Sequence, residues 1–316
     1  MRPPFFFILT LLISSHSLFA ASNSEWRDSL FDYRAEDPQD SLREFSIPRF
    51  VGVASLTSVS FIAAYALVFQ KGWWEDQERG FHLDPIKNDF HYSLNLDKMG
   101  HFASGVALGE FFYESYYWTG LSEFHSYLFA GLSASLTHVG IDIKDGFSPS
   151  WGFSFFDVFA GSLGGFYPMA KRYIPAFKYF DLKMSYWINT KAYYRQSETK
   201  IFTDDYVNQT YWLSLKVYRL LPTPARKYYP DWLAFAVGLS IDEGVFVNGV
   251  GKGKREIYLA LDYDLEAFKP QKNWSRLLVK SLNYIKFPAP SIQVYPETKF
   301  FLTYPIQFGK NRQYKN

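Results

Sequence analysis

The sequence predicts an α+β protein in which a membrane-associated bundle of about four helices precedes a strand-rich C-terminal region. Four apolar segments of helical length lie between residues 50 and 170. Beyond residue 170, β-branched and aromatic residues alternate in part, which is typical of strands. Aromatic residues make up 21% of the chain, a content that favours contact with a lipid–water interface.

The first 21 residues resemble a signal peptide. Arg2 supplies the positive charge, residues 5–13 form the apolar core, and Ala20 and Ala21 offer cleavage sites. We therefore expect export to the bacterial cell envelope, with an uncleaved anchor as the alternative. The next segment, residues 22–49, is acidic and polar, since it holds seven Asp and Glu residues against four Arg.

Residues 50–69 form an uncharged apolar run, which at about 1.5 Å per residue just spans a bilayer core of about 30 Å. Three further helix-length segments carry polar residues and cover 99–118, 125–143 and 153–169. We interpret residues 50–170 as a membrane domain of four transmembrane helices. A compact bundle that only touches the membrane is the alternative. We expect the inner membrane, with the outer membrane as the alternative, and a periplasmic C-terminal region.

Residues 171–316 are predicted to form a basic α+β domain, with 23 Lys and Arg against 12 Asp and Glu. A basic surface suits anionic lipid, although an ordinary soluble surface has the same pattern. The absence of cysteine excludes disulfides and thiolate metal sites, and export makes nucleic acid an unexpected partner. The predicted strands cover 183–194, 232–241, 256–265, 291–295 and 300–308, and the predicted helix covers 274–285.

Ionisable residues stand at the edges of the apolar segments, where charge is costly unless it is paired or used. On a helix, Asp97 and His101 share one face, because residues four apart are neighbours. His101 is therefore a candidate general base, proton carrier or metal ligand. In the alternative interpretation, Asp97 stabilises the first turn of the helix beside Lys98 and pairs with His101.

A second polar stripe consists of His138, Asp142 and Asp145, which are spaced by four and three residues. Such a stripe can bind a divalent cation or hold a proton. The alternative is a solvated helix end that Gly146 caps.

The next helix is predicted to begin at Ser154, which would cap it, with Asp157 three residues later. Small residues at 161–165 allow close packing of this helix, which would bring Asp157 towards His101 and Asp142.

The candidate catalytic residues are His101, Asp142, Asp145 and Asp157. The candidate binding residues are Asp97, Lys98, His138 and Ser154. No cofactor is required by this pattern, but a divalent cation is compatible with it, and its ligands would be His101, Asp142 and Asp157.

These motifs are similar to those of the DUF2279 family. The resemblance lies in DKMGH at 97–101, an acidic residue ahead of DGFS at 145–148, and WGFS at 151–154 followed by Asp157. Members of that family are bacterial envelope proteins without an established activity, and they include predicted periplasmic lipoproteins. The tail segments QTYWLS, PDWL and IKFPAP resemble longer members of the same family.

A looser similarity to VanZ-like membrane proteins covers residues 97–165. Those proteins carry a helix with Asp-Lys and His, a later acidic residue, and a helix with Ser and Asp. This chain departs from that pattern at Asp142, where Glu is frequent, and at Gly161, where Asn is expected.

The expected function is that of a membrane-anchored structural or interaction protein of the envelope, without enzymatic activity. Its expected partners are membrane lipid, an envelope protein or a lipid-linked glycan. The alternative is a VanZ-like site that binds or acts on a lipid-linked envelope substrate, through His101, Asp142, Asp145 and Asp157. A proton-coupled transporter is a third interpretation, since histidine and aspartate within apolar helices would suit it.

Overall fold

Helices form the first part of the chain that the structure describes. The computed structural model describes residues 44–64, 74, 80–196, 202–247, 252–269 and 272–307. The predicted signal peptide and most of the acidic segment lie outside the described residues. The helices are α1 (Ile47–Ala64), α2 (Ile86–Asp89), α3 (Leu96–Trp118), α4 (Glu123–Asp145) and α5 (Phe155–Tyr173).

Helices α3, α4 and α5 pack against one another along an aromatic core. The rings of Tyr113 on α3 and Tyr127 on α4 stack with their centroids 3.8 Å apart. Phe112, Ala130 and Ala134 complete the same buried cluster. Aromatic pairs of this kind stabilise a core beyond the area that they bury, which holds the three helices in register.

Glycines let the backbones of α3 and α5 approach each other directly. A Cβ atom on Gly105 would lie 2.1 Å from the carbonyl oxygen of Gly161. A Cβ atom on Gly164 would lie 2.0 Å from the carbonyl oxygen of Phe102. The close packing predicted from the small residues of α5 is therefore confirmed, and it requires glycine at the contact.

Helix α1 touches the bundle at its beginning. The Ser46 amide donates to the Thr119 carbonyl at 2.8 Å, and the rings of Phe50 and Tyr116 lie 6.4 Å apart. Further along, side chains such as Leu56 and Ile62 are two-thirds exposed. The described helices therefore include a core of three, with α1 attached through its first turn.

The prediction of transmembrane helices is wrong. Among the described residues, no helix has both the length and the apolar character needed to cross a membrane. Asp97, Lys98, Glu110 and Glu114 interrupt the apolar character of α3, and each of these charges has partners within the protein. Residues 65–69 of the first predicted span lie outside the described residues.

The second part of the described chain is an antiparallel sheet whose six strands lie side by side in chain order, which confirms the α+β class. The strands are β1 (Phe180–Tyr186), β2 (Gln209–Leu215), β3 (Leu233–Ile241), β4 (Arg255–Tyr263), β5 (Ala289–Tyr295) and β6 (Lys299–Tyr304). Short helices join them, namely α6 (Ala192–Gln196), α7 (Val217–Leu220), α8 (Thr223–Arg226), α9 (Gly244–Val247) and α10 (Asn273–Leu282).

The sheet buries polar side chains together with an aromatic cluster on one face, and it exposes apolar side chains on the other. The buried face includes Asp181, Lys183, Ser185, Ser214, Ser240, Glu256, Asp262, Ser291 and Gln293. The exposed face includes Phe235, Val237, Leu259, Ile292, Phe300 and Leu302. The sheet curls around its polar face, because the hydroxyls of Thr210 on β2 and Tyr304 on β6 hydrogen bond at 2.7 Å.

Ion pairs join the first helices to the second part of the chain, which contains the sheet and α10. Lys171 of α5 lies 2.6 Å from Asp181 of β1. Lys280 of α10 lies 2.5 Å from Glu110 of α3, which also accepts a hydrogen bond from the Tyr284 hydroxyl at 2.5 Å. Because these groups are largely buried, removing one partner would leave a costly unpaired charge.

The strand predictions 232–241, 256–265 and 291–295 agree with β3, β4 and β5 to within a few residues, and helix 274–285 agrees with α10. Strand 183–194 is too long, since β1 ends at Tyr186 and α6 begins at Ala192. Strand β2 was not predicted, because its residues are buried in succession and show no clear alternation.

We expect Gly105→Ala to lower the free energy of unfolding by about 1–3 kcal/mol, the usual cost of overpacking. The new methyl group would press on the backbone of α5. Gly140→Ala on α4 is the matched control, because a Cβ atom there meets nothing within 4 Å. Better helix propensity should raise stability by up to about 1 kcal/mol in that control. Urea unfolding measures both, and equal effects would contradict the packing described here.

Candidate functional site

The ammonium group of Lys98 is shared by three carboxylates. Its Nζ lies 2.8 Å from Oδ2 of Asp97 and 2.7 Å from Oδ1 of Asp157. It also donates a short hydrogen bond to Asp89. Asp89 and Asp97 are almost fully buried, and about 15% of the Lys98 and Asp157 side chains is exposed. We call these four residues the Lys98 cluster.

Three helix ends meet at the Lys98 cluster. Asp89 ends α2, Asp97 and Lys98 lie in the first turn of α3, and Asp157 lies in the first turn of α5. A carboxylate in the first turn interacts favourably with the helix dipole. The same ion pairs therefore hold together the end of α2 and the starts of α3 and α5.

Helix α3 begins after a strained turn. Ser93, Leu94 and Asn95 have φ angles of 41°, 52° and 68°. Non-glycine residues rarely adopt this left-handed conformation, so the surroundings must stabilise it. Arg255 of β4 does so in part, since its Nη2 and Nε donate to the Leu94 carbonyl at 2.9 and 3.2 Å. Asp97 lies in the first turn of α3, as predicted, and its side chain binds Lys98.

Ser154 joins α5 to the elements around it and confirms the predicted cap. Its Oγ accepts from the Asp157 amide at 3.1 Å and donates to Asp89 Oδ2 at 2.9 Å. Its amide donates to Asp142 Oδ1 at 3.2 Å. Ser154 thus brings Asp142 of α4 against the Lys98 cluster. Asp142 is 1% exposed, which excludes a solvated helix end for this residue.

His101 lies at the accessible edge of the cluster. Its Nε2 is 3.6 Å from Asp157 Oδ1, which is too far for a direct hydrogen bond. About a quarter of its side chain is exposed. Its partner is Asp157 and not Asp97, so the alternative pairing expected from the sequence is wrong.

His138 lies behind His101, with the ring centroids 5.9 Å apart. Its Nδ1 is 2.9 Å from the Ala134 carbonyl, which can only accept, so Nδ1 carries a proton. Its Nε2 lies 3.0 Å from the Ser104 hydroxyl. Burial lowers the pKa of His138, which favours the neutral ring with Nε2 as acceptor.

Burial raises the pKa of three carboxyl groups around the site. The pKa of Asp97 rises to about 7, although Lys98 opposes the shift. The pKa of Asp142 rises to about 8, because burial is reinforced by the charge of Asp157. The pKa of Asp145 rises to about 7, against the effect of a 2.6 Å hydrogen bond from the Trp74 indole. These groups can therefore hold or release protons near neutral pH.

Desolvation by the surrounding protein lowers the pKa of His101 to about 4, and the charge of the nearby Asp157 only partly opposes this effect. The imidazole is therefore neutral at neutral pH. A neutral ring can accept a hydrogen bond from a ligand or donate one to it.

The spacing of the carboxylates suits a small cation. Asp89, Asp97 and Asp157 each offer an oxygen, and these oxygens all lie within 4.8 Å of one another. The ammonium of Lys98 provides the positive charge at this place. Two clusters of described residues have such spacing, and neither includes the predicted ligands His101 and Asp142.

Comparison of the chain with family models, curated proteins and solved structures finds no match. The resemblance to the DUF2279 family and to VanZ-like proteins therefore stays a prediction. The site itself rests on the geometry of its residues.

Seven of the eight residues singled out from the sequence are linked by the contacts above, namely His101, Asp142, Asp157, Asp97, Lys98, His138 and Ser154. Asp145 instead accepts a hydrogen bond from the Trp74 indole. Asp89, which binds both Lys98 and Ser154, was not predicted as a site residue. The sequence gives little indication of its role, because it stands alone in a polar stretch ahead of α3 and has no helical spacing with the other site residues.

We expect Lys98→Met to lower the free energy of unfolding by about 3–5 kcal/mol at pH 8, because buried carboxylates would lose their cation. The loss should shrink as the pH falls, since those carboxylates can then take up protons. Lys299→Met is the control, because its pair with Glu297 is exposed and such pairs contribute about 0–1 kcal/mol. Denaturant titrations of both variants measure these values. A loss below about 1 kcal/mol for Lys98→Met would show that the cluster is not a stabilising feature.

Asp142→Asn should remove part of the pH dependence of stability. In the folded protein the pKa of Asp142 is about 8, whereas the usual pKa of an aspartate is 3.8. The folded state therefore binds a proton that the unfolded state lacks between these two pH values, and the free energy of unfolding falls as the pH rises through this range. Asparagine has no such proton and can still accept from Ser154. Each pKa unit corresponds to about 1.4 kcal/mol. Between about pH 5 and pH 9, the free energy of unfolding of the variant should therefore rise by at least that much relative to that of the parent. Parallel stability profiles for the two proteins would contradict the buried protonated carboxyl.

Proposed function

We propose that this chain is an exported envelope protein whose helical part binds the polar head of an amphiphilic, lipid-linked ligand at His101 and Asp157. The observation that carries the proposal is a part-exposed, neutral His101 beside a carboxylate cluster, bordered by exposed aromatic rings. The signal-peptide-like N-terminus supports export. The role proposed is binding, because the charged groups of the site already pair with one another.

The charge of the site favours a cationic head group. Lys98 contributes one positive charge, and Asp89, Asp97 and Asp157 surround it. His101 is neutral, so it does not compensate the remaining negative charge. A primary amine next to Asp157 could add a charge-assisted hydrogen bond, while His101 accepts or donates another.

Exposed aromatic side chains next to the cluster suit the apolar part of such a ligand. Phe90 and Phe156, which adjoin Asp89 and Asp157 in the chain, are 43% and 38% exposed. Phe90 follows Asp89, and its ring meets that of Phe156 at 4.5 Å. Exposed apolar surface that adjoins polar groups is a frequent feature of ligand sites. The combination predicts a ligand with both a charged and an apolar end.

A titration of the purified full chain with short-chain phospholipids tests this function. Dihexanoyl phosphatidylethanolamine offers the amine, and dihexanoyl phosphatidylglycerol serves as the anionic comparison. We expect tighter binding of the ethanolamine lipid and at least tenfold weaker binding by His101→Gln. His125→Gln is the matched control, because His125 is an exposed histidine in the first turn of α4.

Isothermal titration calorimetry measures the affinities, and circular dichroism shows whether each variant folds. Equal affinity for the two lipids, or unchanged binding by a folded His101→Gln, would contradict the proposed ligand class. The absence of binding to either lipid would contradict the amphiphile proposal itself.

A second candidate function is that of an interaction protein of the envelope. The observation in its favour is the apolar outer face of the sheet, where Phe300 and Leu302 are more than 65% exposed. Large exposed apolar surfaces often mark binding sites for other proteins. Because this face belongs to the sheet, His101→Gln should leave such a role intact, and the two functions are thereby separable.

A further inference from the structure

A small cavity lies inside the curl of the sheet, away from the Lys98 cluster. Its volume is about 20 Å³, which is enough for one water molecule or one ion. Two carboxylates line it, those of Glu243 and Glu256. Glu243 follows the end of β3, and Glu256 lies on the polar face of β4.

Glu243 has an unsatisfied oxygen at this cavity. Its side chain is 5% exposed, and its Oε1 is buried without a hydrogen-bond partner. Its other oxygen, Oε2, accepts a short hydrogen bond from the Thr190 hydroxyl. Among the described residues, no Lys, Arg or His nitrogen forms an ion pair with Glu243. A buried carboxylate oxygen without a partner is costly, and a bound cation would remove that cost.

Glu256 is held in place by neighbouring polar groups. The Tyr258 hydroxyl donates to its Oε2 at 2.7 Å, and the Gln293 amide lies 3.4 Å from its Oε1. A hydrogen bond of this kind orients a carboxylate towards a ligand, as the second shell of a metal site does. Both glutamates therefore have one oxygen fixed by a hydroxyl group.

The remaining lining of the cavity supplies further oxygen donors. Asn189, Thr190, Tyr258 and Tyr304 contribute amide and hydroxyl groups. The lining contains neither cysteine nor histidine, so its chemistry suits a hard cation. Calcium accepts six to eight oxygen ligands in irregular arrangements, whereas magnesium requires a near-ideal octahedron. Two carboxylates match a divalent charge.

We propose that the cavity bounded by Glu243 and Glu256 is a calcium-binding site, independent of the helical ligand site. The ion would link the end of β3, the start of β4 and the segment after β1, which carries Thr190. It would therefore stabilise this end of the sheet. Sites with few charged ligands bind calcium with dissociation constants of about 0.1–1 mM, and that is the affinity expected here.

Terbium luminescence on the purified full chain tests the proposal. Terbium replaces calcium at oxygen sites, and the rings of Tyr258 and Tyr304 would sensitise its emission. We expect sensitised emission that calcium displaces and that magnesium displaces at least tenfold less well. Glu243→Gln should weaken binding at least tenfold, whereas Glu297→Gln, at an exposed carboxylate, should leave it unchanged.

Calcium should also raise the midpoint of thermal unfolding of the unmodified chain, a measurement that remains informative if Glu243→Gln does not fold. Glu256→Gln provides a second variant for the same titration. The proposal is overturned if calcium changes neither emission nor the unfolding midpoint, which would mean that water alone fills the cavity. It is also overturned if Asp157→Asn abolishes binding while Glu243→Gln does not, because the ion would then sit at the Lys98 cluster.

Discussion

The helical part of this protein depends on the ion pairs that the ammonium group of Lys98 forms. This group joins carboxylates from the end of α2 and from the first turns of α3 and α5. Because these groups are largely buried, each charge must have a partner, and their joint position restricts where α2 can end and where α3 and α5 can start. The glycine contact between α3 and α5 allows this arrangement, since a bulkier residue at Gly105 would separate the two helices.

Paired polar groups in the interior recur in the sheet. Lys216 is buried and lies 2.7 Å from both Asp181 and Glu266, and Lys183 lies 3.0 Å from Asp262. A cluster that includes Trp212, Tyr258 and Tyr304 shares this interior, whereas other apolar side chains of β3 to β6, such as Phe235 and Leu302, are exposed. The sheet therefore combines a mixed polar and aromatic interior with an outer face on which large apolar side chains are exposed.

Much of the fold could be predicted from the sequence, because local signals determined it. Ser154 has the residue type and the spacing of a helix cap, and the structure shows that cap. The spacing of Asp97, His101, Asp142 and Asp157 indicated a common region, and contacts through Ser154 and Lys98 now link them.

Other features could not be predicted from the sequence because they depend on tertiary contacts. Asp89 reaches the Lys98 cluster only through the fold of the chain, and no periodic pattern of residues predicts this position. The same holds for Glu243 and Glu256, which lie on either side of the segment that connects β3 to β4 and line one cavity. The pairing of Glu110 on α3 with Lys280 on α10 likewise joins residues that are far apart in the chain.

The central claim, that three carboxylates hold a charged Lys98, is tested most directly by nitrogen NMR of the lysine side chains across a pH titration. The surrounding carboxylates, chiefly Asp97, raise the pKa of Lys98 although burial opposes them. The ammonium resonance of Lys98 should persist above about pH 10.5, the usual pKa of a lysine side chain. Loss of the Lys98 proton at or below that pH would contradict the cluster.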